Sequence, residues 1–194
     1  MKPRERECLI VAARRMYESG LVTGALGAVG VRLTSGEIAV TALGSRLGFL
    51  EAADLVLLDE NGLAATDASR PPDRDSGMLF AVLSAQPEAG SVIRIHSPYA
   101  TALAHRGRGT VERSKELLDQ LGGVSFVPYF RPGTAGLAGA VAEALRETRV
   151  AIREGQGPVV WGTDIEDAVD RAEALEAAAQ VAFLLNGGGP EDTR

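Results

Sequence analysis

The sequence predicts a layered α/β fold. Short apolar runs of strand length alternate with longer segments of helical periodicity, the signature of sheet and helix layers sharing a core. Turn-forming Gly, Pro and Asn residues separate them, and no repeat or linker-like stretch divides the 194 residues. That length supports one domain with a sizeable core. The expected organisation is a single domain over residues 1–185 and a flexible tail over 186–194.

Cys8, Leu9, Ala12, Ala13 and Met16 recur at helical spacing. They predict a helix over 4–19, closed by Gly20, with the Cys8 thiol in its apolar face. Residues 21–30 are rich in Gly and small side chains and read as tight loop backbone. Strands follow at 29–33 and 37–42 around a Ser35-Gly36 turn, then at Leu55–Leu58, closed by Asn61-Gly62. A polar, Pro-containing loop over 67–75 leads to a helix over Ser76–Ala85. A strand over 91–95 precedes Pro98, placed to open a helix at its first position. Beyond it the pattern predicts a helix over 112–121 and a strand over Val124–Val127. Helices over 135–153 and 164–185 then flank a strand over 158–161. Tyr129 and Trp161 read as core or interface residues, and Tyr99 as a packing residue.

Net charge is −6 with both signs interspersed, and the basic run at 106–108 is short. Without a basic stripe to neutralise phosphates, nucleic-acid binding is not expected. No apolar run approaches the roughly 20 residues of a membrane span, and the charged first residues lack the apolar segment of a signal peptide. The one cysteine excludes an intrachain disulfide and suits a reducing, cytoplasmic setting. The Ala-, Gly- and Arg-rich, Lys-poor composition suits a high-GC bacterial genome.

Three segments carry a resemblance. They are Ser19-Gly-Leu-Val-Thr-Gly24 with the following strand pair and Thr41-Ala-Leu-Gly44; Ala81 to Ala104, reading AVLSAQPEAGSVIRIHSPYATALA; and Gly155-Gln-Gly-Pro-Val-Val-Trp-Gly162 with Asp164-Ile-Glu-Asp-Ala168. Pro132-Gly-Thr134 before a long helix adds to them. Over about residues 5–185 the chain resembles the class II aldolases and adducins, which include fuculose-phosphate aldolase and ribulose-phosphate 4-epimerase. The resemblance implies a three-layer α/β/α sandwich around a mainly antiparallel sheet. It also implies a homotetramer with active sites at subunit interfaces, working on a small-molecule substrate. Members of this family hold a divalent metal, typically zinc, with an H-x-H pair and a third histidine in an N-H-G segment; the metal polarises a carbonyl or enediolate.

Here the H-x-H pair reads Arg94-Ile95-His96 and the N-H-G segment reads Gly155-Gln156-Gly157. Two of the three histidines are absent, His105 is the one other histidine in the chain, and an arginine cannot deprotonate to become a ligand. Zinc sites need about three protein ligands. A resident metal is therefore not expected, although Asp75, His96 and Gln156 leave a weak divalent site at His96 open. The phosphate-binding loop reads Gly24-Ala-Leu-Gly-Ala28, the T-P-S-G segment reads Thr41-Ala-Leu-Gly44, and the S-S-E/D segment reads Asp73-Arg74-Asp75. A carboxylate at Asp73 disfavours a phosphate dianion, so an unphosphorylated, carboxylate-bearing substrate is expected. Asp75 falls on the family's catalytic acid, and Asp119 loosely matches an epimerase aspartate.

The candidate catalytic residues are Asp75, Arg94 and His96, and the candidate substrate-binding residues are Gly24, Gly44, Arg74 and Gln156. Arg94 and His96, two apart on a strand, share one face. Arg94 either closes a salt bridge with Asp73 or Asp75, or clamps a carboxylate or enolate with two hydrogen bonds. His96 is either an inert structural histidine or the proton-transfer group. The reading is a metal-independent lyase or isomerase working through an enolate-like intermediate. Its alternatives are a noncatalytic, adducin-like oligomeric scaffold and a zinc aldolase with atypical ligands.

Overall fold

A computed structural model of the chain describes residues 1–66, 68–106, 121 and 123–185. The helix expected over 112–121, apart from Leu121, the Asp119 position and the tail expected over 186–194 lie outside the described residues.

Seven strands form one sheet: β1 (Ala28–Arg32), β2 (Ile38–Thr41), β3 (Leu55–Leu58), β4 (Ser91–Arg94), β5 (Val124–Val127), β6 (Val150–Arg153) and β7 (Gly157–Gly162). Their spatial order is β3-β2-β1-β4-β7-β6-β5. Every neighbouring pair is antiparallel except β5 and β6, which run parallel. The described helices are α1 (Pro3–Glu18), α2 (Ser76–Ala85), α3 (Pro98–Arg106), α4 (Ala135–Ala144) and α5 (Ile165–Leu185).

The layers follow from the two-residue period of the strands. Val29 and Val31 of β1, Ile93 of β4 and Val160 of β7 point into a core shared with α1, α3 and α5. Ala28, Val92, Val159 and Trp161, one residue out of phase, point into a second core with α2 and α4. Both faces of the sheet are thus covered, giving the expected three-layer α/β/α sandwich with a mainly antiparallel sheet. Gly30 lets α2 approach β1 closely, since a Cβ there would lie 3.1 Å from Leu79 Cβ. The far end of α2 is closed by Arg32, whose guanidinium donates to the Leu83 and Gln86 carbonyls. Among the described residues no helix is long and apolar enough to cross a membrane.

Two expectations need correction. The helix expected over 135–153 ends at Ala144, and Val150–Arg153 is strand β6, buried at all four residues. A short apolar run buried on both faces carries no period of its own, so Val-Ala-Ile prolonged the helical pattern of the residues before it. The break is fixed by Trp161, whose Nε1–H donates to Thr148 O at 2.9 Å and lies 3.3 Å from Leu145 O. Cys8 is exposed, not in the core; the buried stripe of α1 is Leu9, Ala12, Ala13 and Met16, and Cys8 lies outside it. Of the two residues expected in the core or an interface, Trp161 is buried and Tyr129 is exposed on the single chain.

Candidate active site

Three segments meet at one end of the sheet. The loop entering α2 brings Asp73 and Asp75, the end of β4 brings Arg94 to Ser97, and the hairpin from β6 to β7 brings Arg153 to Gly157. β4 and β6 lie on either side of β7, with Arg94 opposite Val159 and Arg153 opposite Gly157. Both guanidiniums converge on Asp75, Arg94 Nε at 3.4 Å and Arg153 Nη1 at 3.3 Å from Oδ2. Arg94 Nη2 also donates to both oxygens of Asp73 at 3.3 Å. The other Asp75 oxygen accepts the Gly133 N–H at 3.2 Å, and Asp73 Oδ1 accepts the Asp75 N–H at 2.9 Å.

The cluster sits well inside the protein: the Asp75 side chain is 3% exposed, Arg153 2% and Arg94 14%. Two cations against two carboxylates balance, which is the condition for keeping ions away from water at tolerable cost. Asp75 is the N-cap residue of α2, yet its side chain makes no cap bond. A capping aspartate typically contributes about 0.5–2 kcal/mol, so this carboxylate is committed to the guanidiniums instead of to its own helix.

His96 stands beside this quartet, half-buried, with its backbone N–H donating to Leu21 O at 3.1 Å. Burial, and then the charges of Arg94 and Arg153, hold its imidazolium below the usual histidine range. It is therefore neutral at pH 7 and able to accept a proton. Its Nδ1 is enclosed without a partner, as are Ser97 Oγ, Thr101 Oγ1, Arg153 Nη2 and Gln156 Oε1. Gly157 joins them: at its φ of +95°, a Cβ would lie 3.2 Å from Thr101 Oγ1 and 3.9 Å from His96 Nδ1. An unpaired buried polar atom costs about 1–3 kcal/mol, and their concentration in one spot marks a functional region rather than ordinary core. Burial lowers Arg153 to about 10, with Asp75 opposing that shift, so it stays a cation at neutral pH.

The structure brings Asp75, Arg94 and His96 together, and adds Arg153, Ser97 and Thr101, which the sequence reading missed. Arg153 went unseen because β6 was taken for helix; an arginine ending a β-branched run just before a Gly-x-Gly turn was the available signal. Gln156 is buried, its Nε2 donating to Phe130 O. Gly24 and Gly44 have φ of +58° and +75°. The segment holding Gly44 is tied to the α2 entry loop, since Thr41 O accepts the Asp73 N–H and Pro71 O accepts the Leu43 N–H. Arg74, between the two buried aspartates, is exposed.

The family's divalent metal does not suit these residues. His96 is the one imidazole among the described residues of the site, Asp75 has both oxygens engaged, and two guanidiniums stand among the would-be donors. Among the described residues no group of three His, Cys, Asp or Glu is arranged to hold an ion.

Residues 7–183 match the family model described as the class II aldolase and adducin N-terminal domain. The chain belongs to this class II aldolase and adducin family. One curated relative is a 3-oxo-tetronate 4-phosphate decarboxylase of Haemophilus influenzae, 30% identical, the match covering 94% of this chain and 89% of the relative. Another is a methylthioribulose-1-phosphate dehydratase of Acidiphilium cryptum, 34% identical, covering 94% and 88%. Among solved structures, YgbL of Escherichia coli superposes with a TM-score of 0.82 at 26% identity, covering 97% of this chain and 90% of that one. Decarboxylase, dehydratase and aldolase are names of enzymes, and a lyase of the class II aldolase family is the coarse reading they support.

Both curated relatives are named for phosphorylated compounds. Those names run against the expectation of an unphosphorylated substrate, and the geometry removes the argument from Asp73 that supported it. Asp73 was taken to repel a phosphate, but its carboxylate is buried and bound by Arg94, while its neighbour Arg74 is an exposed cation.

Proposed function

We propose that the chain is a lyase that breaks a carbon–carbon bond next to a carbonyl in a small phosphorylated hydroxy- or oxo-acid, and that it does so without a resident metal. The observation that supports it most is the neutral His96 beside Arg94, a cation held by two carboxylates at the edge of the buried quartet. Decarboxylation of a 3-oxo acid sends the electron pair of the breaking bond to the carbonyl oxygen, forming an enolate. The Arg94 guanidinium is the group to meet that oxyanion, by moving one hydrogen bond from aspartate to substrate. His96 is half-buried with Nδ1 enclosed, which leaves Nε2 as the nitrogen to take a proton from water as negative charge develops on the substrate and pass it to the enolate carbon, returning the ring to its neutral form. Asp75 holds the guanidiniums in place. Arg74, with backbone at the Gly24 and Gly44 turns, is the proposed contact for the phosphate, and Gln156 for a substrate hydroxyl.

Assembly as a homotetramer, with a neighbouring subunit completing the site, is part of this proposal. The rival reading, a noncatalytic scaffold subunit, draws support from the closed pairing of Arg94 with Asp73 and Asp75. Carbon dioxide release from 3-oxo-tetronate 4-phosphate and from its unphosphorylated form separates them. The proposal expects turnover that favours the phosphorylated acid and an Arg74→Ala variant whose KM rises about tenfold, or roughly 1.4 kcal/mol. Absence of turnover on either compound, with the protein folded and oligomeric, supports the scaffold.

A further inference from the structure

We infer that Arg153 is a positioning residue that, with Arg94, builds into the chain the two units of positive charge a divalent cation would bring, and that Arg153 by itself keeps such a cation out. This rests on the reading of the site as a metal-free one, and it assigns the exclusion to a residue outside the positions where the family's ligands fall. Loss of ligand histidines at 94 and 156 is a separate event. Restoring those histidines would leave Arg153 where it is.

Three observations carry the inference. First, Arg153 is enclosed, with Nε donating to Gly157 O at 3.1 Å and Nη1 to Asp75 Oδ2 at 3.3 Å. Its third nitrogen is buried without a partner, and Nη1 also lies 3.9 Å from Met78 Sδ, a weak acceptor. A guanidinium so poorly satisfied is a weak choice for stability, because apolar side chains of similar volume usually serve a core at least as well. Second, Arg153 is anchored to Gly157, next to Gln156, and to Asp75, so its charge borders two of the three groups left that could ligate a metal. Third, the charges match: the two carboxylates that might have drawn a cation are already neutralised by two guanidiniums. A dication arriving there meets like charge in a medium of low dielectric, where repulsion is strong.

The experiment rebuilds the histidine set and asks whether Arg153 still bars the metal. Arg94→His with Gln156→His is compared with the same pair carrying Arg153→Met or Arg153→Lys, each titrated calorimetrically with zinc alone after circular dichroism confirms the fold. The expected result is zinc binding at least about 100-fold tighter in the triple variant with Arg153→Met than in the double variant or in the triple variant with Arg153→Lys. Equal affinities in the two triple variants overturn the inference. Should the double variant not fold, the contrast between Arg153→Met and Arg153→Lys decides alone, and it separates charge from packing because both introduced side chains are long and unbranched. Zinc binding needs no substrate, so failure of the lyase assay would remove the functional reading without touching this result, and the converse holds.

Discussion

Asp75 is the keystone of the buried quartet, and its removal has a size that can be worked out from its contacts. Asp75→Asn strips the shared negative charge from Arg153 and Arg94, which lie 3.3 and 3.4 Å from one of its oxygens. Arg94 retains Asp73 as a partner, at 3.3 Å. Arg153, 2% exposed, is left with the Gly157 carbonyl and no carboxylate at bonding distance among the described residues. Breaking a buried pair from one side costs about 3–5 kcal/mol, because the remaining charge is left uncompensated. Arg153→Met fills similar space beside Met78 and leaves Asp75 to Arg94 alone, so a loss of about 1–3 kcal/mol, that of a buried group deprived of one of its partners, is expected. The double variant deletes one cation and one anion and leaves the Arg94–Asp73 pair intact. It should be more stable than Asp75→Asn alone, with a coupling of at least about 1.5 kcal/mol. Urea unfolding at one fixed protomer concentration measures all four corners of the cycle. Additive effects within about 0.5 kcal/mol would show that the two residues do not share a charge balance, and the account of the quartet would fall.

Further outcomes follow from single contacts. Gly157→Ala should cost about 1–3 kcal/mol, since its φ of +95° and the 3.1 Å approach to Ile95 O both reject a methyl group; a thermal melt unchanged by the substitution would contradict that geometry. The depressed titration of His96 fixes a sign: between its folded value and the ordinary 6.5, the unfolded chain binds the extra proton, so stability rises with pH. The His96 contribution is thus complete above about pH 6.5 and fades as pH falls toward the folded value. An NMR titration of the ring giving a midpoint at or above 6.5 would refute it. Trp161→Phe should cost about 1–3 kcal/mol by leaving the Thr148 carbonyl without the indole donor and removing the face that Arg149 covers at 4.4 Å; chemical denaturation with no loss would show those carbonyls are satisfied otherwise.

The layered fold was legible because most of its elements declare themselves locally. Leu55–Leu58, Ser76–Ala85 and Val124–Val127 stand where the sequence pattern puts them, each bounded by turn residues or a change of period. β6 was not legible, because Val150-Ala-Ile is buried on both faces and so carries no alternation of its own, although its partner β7 follows at once in a hairpin while β5 lies more than 20 residues earlier. That error propagated into the site: with β6 read as helix, Arg153 had no reason to approach Asp75, 78 residues earlier. The positions of Asp75, Arg94 and His96 could be read through the resemblance, but not which carboxylate each cation would choose. The sequence offered a salt bridge of Arg94 with Asp73 or Asp75, and the structure has both; set as repelling a phosphate, Asp73 is instead turned inward by that pairing.

The central claim is a lyase whose positive charge is arginine rather than metal and whose proton moves through His96. Carbon dioxide release from 3-oxo-tetronate 4-phosphate tests it most directly, followed with the chelator-treated wild-type protein and its His96→Ala variant. The account predicts turnover that survives chelation and added zinc unchanged and falls at least about 10²-fold in the variant. Activity that vanishes on chelation and returns with zinc, or a variant within a few-fold of wild type, would contradict it.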